Sequence, residues 1–213
     1  RDLANGSYLA DDAVTLAKMA SGTDGQIITY DASGNPSAVG PGTDGQVLTS
    51  TGAGSPPAFE APGLSCAQLF RLTTSNSQTS SDITSNWTEV TSSNGQGGFG
   101  SIVSQSSGVF SFSTTGYYLV TAILHANDGD ENDYAGLQIK YTTDGSNYNL
   151  IAVEYSNTHN TTDSVYFSVV TQAIVNATNT TNCKVLLRTD TETSITLWGS
   201  ATANNTCVTF LAL

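Results

Sequence analysis

The sequence runs to 213 residues, with 6 Lys and Arg against 18 Asp and Glu, a formal net charge of -12 that excludes direct binding to a phosphate backbone. No apolar run approaches the roughly 20 residues that span a bilayer, so membrane insertion is not expected. Apolar residues make up 38% and charged residues only 11%, leaving a surface of Ser, Thr, Asn and Gly that suits an all-β extracellular or virion protein.

Residues 1–20, RDLANGSYLADDAVTLAKMA, read as a short helical or coiled stalk segment. Leu9, Val14, Leu16 and Met19 carry its apolar positions. Asp11 and Asp12 stand near one end and Lys18 near the other, as a helix dipole favours. A helix this short is marginal in water and needs partners.

Residues 21–63 contain a duplication. Gly22-Thr23-Asp24-Gly25-Gln26 recurs twenty positions on as Gly42-Thr43-Asp44-Gly45-Gln46, and Ile27-Ile28 recurs as Val47-Leu48. Each unit reads as a strand, a Gly/Pro turn and a return strand, or as a loose loop. Two or three apolar side chains cannot offset the ordering entropy of such a unit, and an isolated two-stranded piece is marginal. The pairs Ile27-Ile28 and Val47-Leu48 are therefore expected to meet copies of themselves around a symmetry axis. On this reading the repeats are spacers of an oligomeric stalk, rather than a flexible linker that happens to be duplicated.

Residues 64–213 change character. Stretches such as YYLVTAILHA, YAGLQIKYTT, SVYFSVVTQAIV and TCVTFLAL, bounded by Gly, Asn, Asp and Ser clusters, predict a β-sandwich of jelly-roll type with its own core. In the last of these, alternation puts Cys207, Thr209, Leu211 and Leu213 on one face, and Val208, Phe210 and Ala212 on the other. Both faces are largely apolar, so both need a cover. Phe210 is expected between subunits or in the core beside the axis, and Tyr118 is assigned to the subunit interface with it.

Chemistry-bearing residues are few. His125 and His159 belong to no nucleophile or metal motif, and no enzyme activity is expected. Cys66, Cys183 and Cys207 have no metal-like spacing and read as buried thiols. Asp128, Asp130, Glu131 and Asp133, in NDGDENDY, offer alternate oxygen ligands that suit calcium, or else form a solvated turn; no other cofactor is expected. Tyr141, Tyr148, Tyr155 and Trp198 lie near strand ends, with His159 in a polar loop. They would stack on sugar rings and contact a receptor if exposed, or fill the core or an interface if not.

GVFSFSTTGYYLVTAILHA (108–126) and the ending NTCVTFLAL resemble strands of the globular heads of the complement and tumour-necrosis-factor superfamily. That resemblance implies a jelly roll whose final strand lies near a threefold axis. The Asn/Thr-rich loop NATNTTN (176–182) departs from it, so loop functions do not carry over. LADDAVTLAKMA and GTDGQVLTSTGAGSPPAFE resemble the shafts of bacteriophage tail fibres, marine ones in particular. This second resemblance implies a homotrimeric, virion-borne, extracellular fibre joined to the rest of the tail fibre or virion. Its C-terminal head would bind a host cell-surface glycan or outer-membrane receptor. A depolymerase tip that cuts surface polysaccharide, or a structural spike without a specific receptor, are the alternatives.

Overall fold

The computed structural model describes residues 21–60, 64, 66–91, 95–129, 134–158 and 164–213. The chain separates into two compact units, Arg1–Gly63 and Leu64–Leu213. Every regular element among the described residues is a strand. The helix expected in residues 1–20 lies outside them.

In the first unit β1 (Ile27–Tyr30) pairs with β2 (Pro36–Val39), and β3 (Val47–Thr49) with β4 (Ala58–Glu60), as two antiparallel hairpins. The repeated phrase encodes a turn. The Gln26 backbone N–H donates to the Thr23 carbonyl at 3.1 Å while the Gln26 side-chain oxygen accepts from the Thr23 N–H at 2.7 Å. Gln46 and Thr43 repeat both bonds at the same distances. Gly25 and Gly45 sit at φ of 78° and 86°, a conformation that a side chain disfavours. The return strands are less alike. Ile28 stands opposite Ala38, but Leu48 stands opposite Phe59, one position beyond the repeat. The Asp31 carboxylate tightens the first loop by accepting the Ser33 and Asn35 N–H groups, each at 2.9 Å. Ile27, Ile28, Val47 and Leu48 all remain exposed, so neither hairpin has a core of its own.

The second unit, the head, contains β5 (Cys66–Leu72), β6 (Asn76–Gln78), β7 (Trp87–Glu89), β8 (Val103–Ser106), β9 (Val109–Phe112), β10 (Gly116–Asp128), β11 (Tyr134–Thr142), β12 (Asn149–Asn157), β13 (Val165–Ala177), β14 (Lys184–Thr191), β15 (Ile195–Leu197) and β16 (Cys207–Ala212). One sheet runs β13-β10-β16-β5-β7, with β15 beside the far end of β10 and β6 beyond it. The other runs β12-β11-β14-β9-β8. Pairing is antiparallel throughout and neighbours are mostly not consecutive, which is jelly-roll connectivity.

An aromatic cluster welds the two sheets. Phe70 and Phe210 come from the first sheet and Phe110 from the second, with ring centroids 5.2 Å apart for Phe70–Phe110 and 5.2 Å for Phe110–Phe210. Phe112 packs on Tyr118 at 4.3 Å, and the Tyr118 hydroxyl donates to the Thr114 carbonyl at 2.7 Å. Gln68 is the polar exception in this core, 1% exposed. Its oxygen accepts the N–H groups of Ile102 and Val103 at 2.9 and 2.7 Å, and its amide donates to the Val103 carbonyl and to Glu89. A buried amide with all these partners satisfied costs little and fixes the approach to β8.

Tyr118 requires a correction: it is 1% exposed within a single chain, so it belongs to the core and not to a surface shared between subunits. Phe210, 0% exposed, takes the core placement of its two expected ones, and the assignment to a subunit surface falls. The pleat is the reason, since the outward-facing positions of β10 and β16 are one residue away.

Phe210→Ala is expected to destabilise the head by about 3–5 kcal/mol, because it opens a cavity among three other rings. Chemical denaturation checks this, and the loss should not depend on protein concentration. A second expectation concerns Asp144, in the turn between β11 and β12. Its carboxylate accepts the Asn147 and Ser146 backbone N–H groups at 2.8 Å each. The Asn147 backbone and side chain, then Ser146 and Thr142, hold its pKa below the ordinary carboxylate value. A depressed folded-state pKa stabilises above the unfolded value, and that stabilisation is lost as pH falls toward the depressed one. Asp144→Ala should therefore lower the melting temperature at neutral pH, and the gap from wild type should close as the solution is acidified.

Candidate interaction surfaces of the head

The pleat of β10 and β13 decides what the first sheet offers to its surroundings. Tyr118, Val120, Ala122, Leu124 and Ala126 point into the core from β10, as do Phe167, Val169 and Val175 from β13. The alternate residues face outward, and the register aligns them in rows: Leu119 with Ile174, Thr121 with Gln172, Ile123 with Val170, His125 with Ser168, and Asn127 with Tyr166. β16 extends three rows with Leu211, Thr209 and Cys207. Ile174 is 65% exposed and Val170 51%. Tyr117 and Leu213 add to the apolar area at one end.

This face is almost without charge. Arg71 is the one charged side chain at its outward positions, and it is buried, donating to Gln96, Asn204 and the Ala201 carbonyl. Cys207 lies in the same row as Arg71. Burial pushes its thiol up to about 11, and the guanidinium pulls the other way. The face thus combines exposed apolar side chains with an absence of carboxylates, on a chain of net charge -12.

At one end of the face the side chains become amphipathic. The His125 Nδ1 and Ser168 Oγ lie 2.8 Å apart, and His125 and Tyr166 each meet Trp198 edge-on, at 5.6 and 5.5 Å. The Trp198 indole N–H donates to Asn127 at 3.1 Å. Among the described residues no carboxylate orients the imidazole, and the pair lies on the flat of a sheet rather than in a cleft.

The two ends of the sandwich differ in role. β5 begins at Cys66, opposite Ala212, which in turn stands opposite Tyr118, so the chain enters the head at that end. Asp128, Tyr134, Asn157, Val165 and Thr191 mark the other end, where β10 connects to β11 and β12 to β13. Of the proposed metal ligands, Asp128 is buried there at the end of β10. Asp130, Glu131 and Asp133 lie outside the described residues, as does His159. Among the described residues no group of three or more carboxylate, histidine or cysteine side chains forms a metal cluster.

The three tyrosines proposed for receptor contact are not brought together. Tyr141 belongs to the entry end and leans on the core, its hydroxyl donating to the Asn176 carbonyl of β13 at 2.7 Å. Burial, with the Cys183 thiol beside it, raises its pKa. Tyr148 is half-buried at the same end. Tyr155 stands at the far end opposite Gly136, about 17 Å along β11 from Tyr141 and on the opposite face of the sheet. Its hydroxyl donates to Asp190 at 2.6 Å, a bond that raises the phenol pKa, and Gln138 donates to the same carboxylate at 3.0 Å. Tyr134 meets the Tyr155 ring edge-on at 5.5 Å. Nothing in the local sequence marks Tyr134, Tyr166 or Asp190. Tyr166 was hidden inside a run, SVYFSVVTQAIV, whose composition does not say which alternate residues face out.

The chain matches no protein-family model and no curated protein in sequence. Solved structures do resemble it. The structure of Eiger TNF from S. frugiperda is similar over 69% of this chain and 91% of its own, with a TM-score of 0.52 at 15% identity. Murine APRIL at pH 5.0 is similar over 69% of this chain and 99% of its own, with a TM-score of 0.47 at 14% identity. The head is a TNF-like jelly roll. At these identities the similarity speaks to the fold alone. The TNF-like head departs from an even sheet surface where Tyr155 lies flat on Gly136, since a Cβ at that glycine would clash with the ring.

Gly136→Ala is expected to lift Tyr155 from the sheet and cost about 1–3 kcal/mol. Thermal denaturation checks the cost, and a tyrosinate titration should find one phenol returned toward its ordinary pKa.

Proposed function

We propose that this chain is the receptor-binding part of a bacteriophage fibre, in which three copies join through the stalk repeats and through the outward face of β10, β13 and β16. The head then attaches the virion to a receptor on the host surface, a glycan in the first instance. The observation that carries the assembly is the neutral apolar face, exposed on a chain that is otherwise strongly acidic. The wording of the repeats and the threefold arrangement implied by both sequence resemblances support the same stoichiometry, and closed cyclic symmetry suits it. The exposed apolar pairs of the two hairpins add a second place where identical chains would cover one another.

Attachment is assigned to the end of the head opposite its chain entry. Tyr134 and Tyr155 meet edge-on at that end, on the outward face of the second sheet and away from the assembly face, and aromatic rings with polar handles suit the faces and hydroxyls of sugars.

Light scattering of the full chain at micromolar concentration should give the mass of three chains. Ile174→Asp, at a position exposed in the single chain, should leave the circular dichroism unchanged and weaken association at least tenfold. A one-chain mass for the wild type overturns the assembly. For attachment, purified protein is incubated with envelope polysaccharide of the host. Saturable binding without release of oligosaccharide is expected; release would replace this reading with a glycan-cutting tip, and no binding would leave a structural spike.

A further inference from the structure

We infer that the row formed by Gln172, Thr121 and Thr209 sets the register in which copies of this chain meet, an inference that rests on the three-chain reading above. The row crosses three neighbouring strands, Thr121 of β10 standing opposite Gln172 of β13 on one side and Thr209 of β16 on the other. Gln172 is exposed, and its amide donates to the Thr121 hydroxyl at 3.0 Å. Apolar rows flank it, Leu119 with Ile174 on one side and Ile123 with Val170 on the other, each about 7 Å away along the strands.

The two kinds of row constrain a neighbour differently. Apolar contact is non-directional, so a partner sliding along Leu119 and Ile174 loses little as long as some apolar group covers them. A polar row is not indifferent to sliding. After donating to Thr121, the Gln172 amide still has one N–H and its carbonyl to satisfy, and the two threonine hydroxyls have further capacity. In the matching register these groups meet the same row of a neighbour. After a slip of two residues they face Ile174 or Val170 side chains, excluded from water and without partners. A polar layer set between two apolar rows thus gives up some stability for a unique arrangement.

The occupant that fits is a second and a third copy of this chain. The outward positions of β10, β13 and β16 carry no carboxylate, so copies of a chain of net charge -12 can meet there without bringing like charges together, and each copy presents amide and hydroxyl groups in one row between apolar rows that match those of the other. The titratable groups of this face among the described residues, Arg71, Cys207, His125, Tyr117 and Tyr166, all lie in other rows.

The test uses the full chain, with mass measured by light scattering across a dilution series at pH 8 and pH 4.5. Wild type is expected to show one three-chain mass at both. Gln172→Glu should weaken association at least tenfold at pH 8, where three carboxylates would share the row, and recover at pH 4.5 relative to wild type. Gln172→Leu should stay associated at both pH values but with a mixture of masses, since only the two threonine hydroxyls then oppose sliding. Circular dichroism confirms that both variants, altered at an exposed position, remain folded. If both keep the single three-chain mass at both pH values, the row does not set the register. If the wild type has a one-chain mass, the three-chain reading fails first, and the two failures are told apart by that measurement.

Discussion

The ladder between β10 and β13 is the constraint on which the rest of the head depends. Each strand has 13 residues, and they pair without a break from Gly116–Ala177 to Asp128–Val165. Because side chains alternate across a pleated sheet, that one register sorts every residue of both strands into core or exterior together. It sends Tyr118 and Val120 inward and Leu119 and Thr121 outward, and β16 inherits the sorting through its pairing with β10. A shift of one residue would bury Gln172 and expose Phe167. The core and the neutral face are thus two consequences of one alignment.

What holds the second sheet against the first is aromatic packing supplemented by a single buried amide. Phe210 lies within 6.1 Å of three other rings, contributed by β5 and β9. Burial of this much aromatic surface lets a chain with few charges and many hydroxyls keep a fixed interior. Gln68 adds direction, since its hydrogen bonds to Ile102 and Val103 admit only one placement of the strand that follows.

The two hairpins of the first unit and the head share a chemical economy. Their turns are held by side chains that fold back on the backbone, Gln26 and Gln46 in the repeats and Asp144 in the head, rather than by ion pairs. Arg188 pairs with Asp82 at 3.3 Å, their side chains 33% and 40% exposed, so solvent still screens the pair. Acidic residues lie in turns and on other strands, Asp144, Glu154 and Asp190 among them, and the outward positions of β10, β13 and β16 carry no carboxylate.

Several features follow from the sequence alone. The repeated Gly-Thr-Asp-Gly-Gln phrase encodes its turn locally, through a glycine at positive φ and a glutamine whose side-chain oxygen accepts the N–H of the threonine three residues before it, so nothing distant needs to be known. The strand character of residues 64–213 and the alternation within CVTFLA are likewise local, set by β-branched and aromatic residues with period two. Alternation names two faces, however, and does not say which of them is the inside. Phe210 and Leu211 are both large and apolar, and only pairing with β5 and β10 on one side and packing against β9 on the other put Phe210 in the core. The same holds for the tyrosines. Tyr141 and Tyr155 look equivalent in the sequence, yet the antiparallel hairpin of β11 and β12 carries them to opposite ends and opposite faces. Long-range register, which no local pattern encodes, decides which side chains a folded chain presents together.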